Sequence, residues 1–448
     1  MVTSAAPPSA LFTDLYQLTM LQAYEAAGLR EEAVFDLFVR RLRHRNYLLH
    51  AGLETILDYL EGLRVTAQEI DYLAGLDLFT PDFLEHLRTF RFTGEVYAMP
   101  EGTAFFAGEP VLQVVAPLGQ AQLVETFLLN QFTVQTGLCS KASRVVDAAQ
   151  GRPVIDFGMR RMHGADAALT GARAFQLAGV SGTSNVLAGL WHGLPVRGTM
   201  AHSFIQAFED EERAFETFAT LYPKTTLLVD TYDTLQGVER VIRLAHNLSP
   251  AHRPGAIRLD SGDLGALARE ARRRLDAAGL TDMRIVASNS LDEHTIHELV
   301  EAGVPIDGFG VGTRMGTMAD QPYLDSVYKL SAYADTGRMK MAANKSNLPG
   351  RKQVYRQIDQ GQAVADIIAR EGEAVDGTPL LVQVMHEGQR TAAGRATLAE
   401  IKERVQVGRN QLPAPLRGPA TADPPYPVTL SPGLEAYRAE VRTRLESR

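Results

Sequence analysis

The stretch RLDSGDL (258–264) sets Arg258 and Asp260 two residues apart at the end of an apolar run. In an extended chain such residues share a face, so a guanidinium and a carboxylate project together and could grip a sugar phosphate or a magnesium ion. Asp263, directly before a helical pattern, reads as a helix cap. VDTYDT (229–234) sets Asp230 at another such end, where a carboxylate can orient a histidine or cap a helix. The histidine of interest is His202, which in LPVRGTMAHSFIQAFEDEE (194–212) stands between an apolar run and an acid-rich amphipathic segment. No cysteine or second histidine lies near it at ligand spacing, so metal ligation loses ground while packing, acid–base and covalent roles stay open.

Two further clusters favour anions. VIDFGMRRMHG (154–164) ends in Phe157, Arg160, Arg161 and His163. Adjacent arginines beside an aromatic ask for phosphate or carboxylate, unless they form a salt-bridged surface turn. FGVGTRMGT (309–317) supplies Gly310, Gly312 and Thr313, small residues that let backbone N–H groups approach a phosphate, although Gly-x-Gly is also ordinary turn chemistry. No HExxH, Walker or GxSxG pattern occurs, which weakens zinc hydrolysis, P-loop and α/β-hydrolase readings.

These residues share one placement, the C-terminal end of a short apolar run. Runs at 152–158, 180–185, 194–200, 225–233, 256–263, 283–290 and 306–313 read as strands, most followed by a helix-period segment such as GALAREARRRLDAAG that closes on glycine. Strand then helix, repeated, means parallel strands. Polar residues at every strand end favour a (β/α) barrel, whose site is assembled on one rim, over a doubly wound sheet, which uses only a switch point. DSVYKLSAYA (325–334) is the candidate eighth strand. Residues 92–115 instead carry short β runs broken by Pro-Glu-Gly and Gly-Glu-Pro turns, an antiparallel pattern and a second domain. TGRMKMAANKSNLPGRKQVYR (336–356) reads as a basic hairpin and 412–432 as an irregular Pro-rich tail. The expected division is 1–140, an N-terminal domain of helices and strands; 141–335, the barrel carrying the site; and 336–448, a C-terminal segment packing back on the first.

Composition limits partners and location. At 448 residues, two domains are the default. With 53 acidic against 45 basic residues the net charge of −8 opposes bulk attraction to nucleic acid or anionic membrane, so any anion must be caught locally. The single cysteine, Cys139, excludes an intrachain disulfide and a cysteine-built zinc site and suits a reducing cytoplasm. The N-terminal MVTSAAPPSALFTDLYQLTM lacks signal-peptide character, and no apolar run reaches the ~18 residues of a membrane helix.

Taken together, TDLYQLTM (13–20), PEGTAFFAGEP (100–110), DFGMRRMHG (156–164), GTSNVLAG (182–189), GTMAHSF (198–204), RLDSGDL (258–264) and FGVGT (309–313) make the chain resemble the nicotinate phosphoribosyltransferases, in family order across most of residues 10–356. The resemblance implies an α/β fold, an irregular TIM-like barrel joined to a sandwich-like domain built from N- and C-terminal segments. It implies a reaction of nicotinate with phosphoribosyl pyrophosphate that gives nicotinate mononucleotide and pyrophosphate, helped by ATP hydrolysis, on the way to NAD. Magnesium and a homodimer with shared active sites come with it. Carried onto this chain, it implies that Tyr16, from the partner subunit, and Phe157 sandwich the pyridine ring. Arg258 meets the nicotinate carboxylate or the ribosyl substrate, Arg160 a phosphate, Asp260 the ribose hydroxyls or magnesium, and Gly310, Gly312 and Thr313 the 5′-phosphate. His202 accepts phosphate from ATP, with Asp230 fixing its tautomer.

Ser184 bears on substrate choice, because related nicotinamide enzymes carry an aspartate there, which would suit an amide and repel a carboxylate. Asn289 and Ser290 stand where many relatives carry Gly-Asp, leaving Asn289 to contact ribose or phosphate. The rival expectations are a nicotinamide phosphoribosyltransferase and a catalytically silent phosphosugar-binding protein.

Overall fold

The barrel pattern is realised as six short parallel strands: β1 (Val154–Asp156), β2 (Gly182–Thr183), β3 (Thr226–Leu228), β4 (Ala256–Leu259), β5 (Arg284–Ala287) and β6 (Gly308–Val311), side by side in the order β2-β1-β6-β5-β4-β3. Followed round the sheet, each strand lies beside its sequence neighbour or closes the circle between β6 and β1, and the one break lies between β2 and β3. The segment 194–200, expected to be a strand, falls in that break. It makes only a parallel bridge from Val196 to Thr183, through Thr183 N–H to Pro195 O at 3.0 Å and Arg197 N–H to Thr183 O at 2.9 Å. Pro195 has no N–H to extend a ladder, and residues 195–198 are exposed. The result is an irregular barrel with an open seam, and His202 follows the segment at the seam.

The computed structural model describes residues 9–341 and 347–447. Its chain divides into two compact units, Lys141–Asp320, which holds the barrel, and the described residues of Val2–Ser140 with Gln321–Arg448; the boundary falls inside the helix Glu125–Ala148. Helices after β3, β4 and β5 start on side-chain caps: Asp233 accepts from Gln236 N–H, Asp263 from Ala266 N–H and Asp292 from Thr295 N–H. In Thr234–Asn247 the buried residues Val238, Val241, Ile242 and Ala245 recur at helical spacing and form the core-facing stripe. Of the aromatic row Phe204, Phe208, Phe215, Phe218 and Tyr222, which reads in sequence as an anchoring face, Phe215 is fully buried and the other four are only partly covered. Those four rings pack on one another, while Phe215 with Ala214 and Ala219 supplies the buried face of Glu211–Leu221.

Among the described residues the second unit holds three sheets, the smallest the pair Leu48–Leu49 and Ala104–Phe105. Glu32–Val39 lies near the middle of a seven-stranded antiparallel sheet, flanked by Pro110–Pro117 and Ser326–Tyr333, with Glu95–Ala98 and Val382–His386 beyond. Its run EAVFDLFV is buried almost throughout. Asp36, the carboxylate in that run, is held by Lys352 at 2.7 Å and Gln113 at 2.8 Å. A four-stranded sheet carries Lys352–Asp359, Gln362–Arg370 and Val428–Leu430. Val354 and Ile368 from it share one core with Val96, Leu112 and Phe35 of the larger sheet.

Three expectations need correction. Ser326–Tyr333 is not an eighth barrel strand, for at eight residues it pairs along nearly its full length with Glu32–Val39, whereas the barrel strands are two to four residues long. The 412–432 segment is not irregular: it contains the helix Ala414–Arg417 and the strand Val428–Leu430, and leads into the helix Pro432–Glu446 capped by Ser431. The supposed basic hairpin is not one, since Thr336–Gly337 and Lys352–Asp359 join different sheets; its residues 342–346 lie outside the described residues.

Candidate active site

Arg258, on β4, draws together the strand ends that sequence pattern placed on one rim. Its Nε donates to Ser288 Oγ at 2.8 Å, Nη1 to Thr199 Oγ1 at 3.0 Å and Met200 O at 3.4 Å, and Nη2 to Asp260 Oδ1 at 2.8 Å. Its guanidinium lies 5.3 Å from the centroid of the Phe157 ring, within cation–π range. The contacts to Thr199 and Met200 cross the open seam, so the segment leading to His202 is tied to the sheet by this side chain.

Asp260 takes Arg258 on Oδ1, which also accepts from the Ser288 hydroxyl, while Oδ2 lies 3.6 Å from His202 Nε2. Burial alone would raise the Asp260 pKa, but the Ser288 hydroxyl, the Arg258 charge and His202 together outweigh it and hold the carboxyl below its ordinary value. Asp230 contributes differently than expected. Its Oδ2 accepts from Asp260 N–H at 2.9 Å and Ser261 Oγ at 2.6 Å, which fixes the turn that presents Asp260. The partner at His202 Nδ1 is Thr231 Oγ1, at 3.1 Å, while the other Asp230 oxygen, Oδ1, is buried and makes no hydrogen bond among the described residues. Asp230 and Thr231 lie in the turn just after β3 and serve different neighbours.

Phe157 follows β1 and rests against β6. A Cβ added at Gly310 would come within 2.5 Å of Phe157 Cε2, so glycine there makes room for the ring. Phe157 N–H donates to Val311 O at 2.8 Å. Buried Asp156 braces the same end, accepting from Gly158 N–H on Oδ1 and from Thr183 Oγ1 on Oδ2, each at 2.7 Å. Ser184 N–H donates to Asp156 O at 2.9 Å, which fixes the half-buried Ser184 beside Phe157's strand. Gly312 and Thr313 begin the short helix Thr313–Gly316, with Thr313 exposed. Arg160 and Arg161 are exposed on a 3-10 turn, Met159–Arg161, and among the described residues no ion pair holds either, which disfavours the salt-bridged turn. Asn289 and Ser290 are both exposed with positive φ, 88° and 51°, at the end of β5. Glycine would relieve that conformation, and asparagine is among the residues that tolerate it.

Below the rim, Glu293 is fully buried and bound by Lys141 at 2.5 Å and Arg144 at 2.9 Å, with Lys141 also 3.0 Å from Asp320. Asp292, beside it, pairs with Arg314 at 2.5 Å and so links the ends of β5 and β6. Sequence reasoning missed Thr199, Ser288, Thr231, Asp156 and Thr183. Each is a small polar residue at a strand end already marked, but its partner lies in another strand.

Tyr16 belongs to the other unit, on the helix Leu15–Ala27, with 48% of its surface exposed. That unit also has a cavity of about 400 Å³ lined by Arg40, Arg41, Lys352 and Arg438, with Lys352 already paired to Asp36. Among the described residues no cluster of three or more His, Cys, Asp or Glu is placed to hold a metal. With Asp260 Oδ1 occupied, Oδ2 is the donor that remains, a set that fits magnesium carried on phosphate oxygens and water with a single protein carboxylate.

Comparison with known proteins places the chain in a family. Residues 11–132 match the nicotinate phosphoribosyltransferase (NAPRTase) N-terminal domain, and 153–348 the nicotinate phosphoribosyltransferase (NAPRTase) family. The nicotinate phosphoribosyltransferase pncB2 of Mycobacterium tuberculosis is 49% identical over 434 residues, covering 97% of this chain and 94% of its own. The Bacillus subtilis nicotinate phosphoribosyltransferase is 44% identical over 377 residues, covering 82% and 77%. Human nicotinic acid phosphoribosyltransferase superposes with a TM-score of 0.85 at 29% identity, over 96% of this chain and 99% of that one. On sequence along nearly its whole length, the chain belongs to the nicotinate phosphoribosyltransferase family.

Proposed function

We infer that the chain is a nicotinate phosphoribosyltransferase, joining nicotinate to 5-phosphoribosyl 1-pyrophosphate to give nicotinate mononucleotide and pyrophosphate in NAD biosynthesis. The observation that carries this reading is Arg258 held between the Phe157 ring and Asp260. A flat pyridine stacks on Phe157 while its carboxylate meets Arg258, and Asp260 takes the ribose hydroxyls. Backbone N–H groups around Gly310, Gly312 and Thr313 receive the 5′-phosphate, with the exposed Arg160 available to a second phosphate. Asn289 contacts ribose or phosphate from the neighbouring strand end.

The pyridine nitrogen is already nucleophilic, so no strong base is needed. Its lone pair forms the bond to ribose C1, and the C1–O bond breaks with its electrons leaving on pyrophosphate. Positive charge grows on the ribose, so rate comes from alignment and from the nearby Asp260 carboxylate. Magnesium, held by Asp260 Oδ2, masks charge on the leaving group when bound. His202 accepts the γ-phosphoryl group of ATP, which couples ATP hydrolysis to transfer. Ser184 rather than a carboxylate supports nicotinate over nicotinamide.

The active form is a homodimer in which Tyr16 of one protomer closes the ring site of the other. Exposed Phe12, Leu15 and Tyr16, and in the barrel unit Val186, Leu187 and Leu190, supply apolar surface for self-association. A lone buried cysteine supports the cytoplasm as its compartment, and among the described residues no helix is long and apolar enough to cross a membrane.

Turnover of nicotinate and nicotinamide, each with and without ATP, tests the assignment. Nicotinate is expected to win by about 100-fold in kcat/KM. Equal or better use of nicotinamide refutes the Ser184 reading, and substrate binding without product refutes the enzyme reading. His202→Ala should lose ATP stimulation and acid-labile phosphate while keeping some ATP-independent transfer.

A further inference from the structure

We propose that Ser288 is a positioning residue that sets the preference for nicotinate, by fixing the one N–H of Arg258 left over for the pyridine carboxylate. The proposal rests on the reading of Arg258 as the partner of that carboxylate and deepens it. A guanidinium has five N–H donors. The contacts of Arg258 spend four of them: Nε on Ser288 Oγ, Nη1 on Thr199 Oγ1 and Met200 O, and one N–H of Nη2 on Asp260 Oδ1. Among the described residues the second N–H of Nη2 has no acceptor, and it is the donor that remains for an incoming carboxylate. The guanidinium is planar, so holding Nε and Nη2 fixes the direction of this N–H. Their acceptors are Ser288 Oγ and Asp260 Oδ1, each at 2.8 Å.

Which atom donates at Ser288 is settled by its neighbours. Arginine has no acceptor, so Ser288 Oγ accepts from Nε. Its own proton goes to Asp260 Oδ1, for a carboxylate only accepts, and the other acceptor in reach, Leu259 O, is farther away at 3.4 Å. Guanidinium, hydroxyl and carboxylate thus close a ring of hydrogen bonds in which none of the three can turn without breaking two. The hydroxyl is itself well anchored, since Ser288 is 2% exposed and its N–H donates to Leu259 O at 2.8 Å. Buried in this way, Ser288 acts through Arg258.

Nicotinate brings a carboxylate to the waiting N–H, whereas nicotinamide brings a neutral amide that gains less from a guanidinium. Loss of alignment therefore falls on nicotinate. A disturbance passed through Asp260 to the ribose falls on both pyridines alike and cancels in their ratio.

The test measures kcat/KM for nicotinate and for nicotinamide in wild type, Ser288→Ala, Arg258→Lys and the double variant. Ser288→Ala should cut the preference for nicotinate about tenfold, the loss of one hydrogen bond to a charged group. Arg258→Lys keeps the charge, loses the fork and should cut the preference at least as far, and adding Ser288→Ala to it should change the preference no further. A preference unchanged in Ser288→Ala but lost in Arg258→Lys overturns the proposal and leaves the Arg258 reading standing. An equal cut by Ser288→Ala in both backgrounds also overturns it, for the serine would then act apart from the fork. A preference unchanged in Arg258→Lys overturns the Arg258 reading and the proposal with it. Should Ser288→Ala fail to fold, Ser288→Cys carries the same comparison with a weaker donor and acceptor. Where a variant forms no product, calorimetric Kd values for the two pyridines give the same ratio.

Discussion

Replacing Gly310 by alanine isolates the packing of Phe157 from every polar contact in the site. The backbone at Gly310 is ordinary strand without positive φ, so alanine meets no conformational penalty there. Its methyl carbon would lie 2.5 Å from Phe157 Cε2 and 2.7 Å from Cδ2, about 1 Å inside normal carbon contact. The ring must yield. Overpacking of this kind costs about 1–3 kcal/mol. Displacing by about 1 Å the surface on which the pyridine stacks should lower kcat/KM for nicotinate by about 100-fold, or about 2.7 kcal/mol of transition-state stabilisation. Urea denaturation and steady-state kinetics measure the two effects in Gly310→Ala, Phe157→Ala and the double variant. In the Phe157→Ala background the clash is gone, and Gly310→Ala should become neutral or stabilise by about 0.4–1 kcal/mol through the restricted unfolded chain. Equal destabilisation in both backgrounds would show that the methyl group strikes something other than the ring.

Two further tests address what holds the rim and what charges it. Lys141→Met leaves fully buried Glu293 with only Arg144 of its two basic partners, and should destabilise by about 3–5 kcal/mol in urea, partly recovered by adding Glu293→Gln; a loss under about 1 kcal/mol refutes the view that this cluster anchors the helix Glu293–Glu301. Asp260 titrates below its ordinary range, so its charged contacts are complete above the unfolded aspartate pKa of about 3.9 and are lost only as pH falls through the still lower folded value. Between pH 5 and 8, Asp260→Asn should therefore lower kcat/KM evenly, and a shifted acid limb in that window would contradict an already ionised carboxylate.

The partners of Arg258 mark where reading the sequence stops. Arg258 and Asp260 could be paired from alternation because they sit two residues apart at the end of one strand, and they do pair. Thr199 and Ser288 are 59 and 30 residues away, and nothing local to either stretch ties it to the guanidinium. Asp263 was legible as a cap because capping is local, set by a carboxylate three residues before the N–H it accepts. Asp230 and Thr231 were not separable, since both are polar, adjacent and at the right strand end. Which one meets His202 depends on how the turn after β3 is seated against the segment that carries the histidine.

By itself the chain determined the features that repeat at short range: parallel strands alternating with capped helices, polar residues at strand ends, an antiparallel pattern in the second domain, and the motifs that identify the family. Those follow from periodicity, turn chemistry and side-chain type. Tertiary structure alone decided that the barrel stays open beside Val196, that Ser326–Tyr333 joins the other sheet, and that a threonine rather than an aspartate stands at His202 Nδ1. Each of these is a competition between partners far apart in sequence. Pro195 offers no N–H to a ladder, an eight-residue strand gains more bonds along Glu32–Val39 than a barrel edge could supply, and Asp230 turns Oδ2 to Asp260 N–H and Ser261 Oγ while the neighbouring Thr231 hydroxyl meets the imidazole.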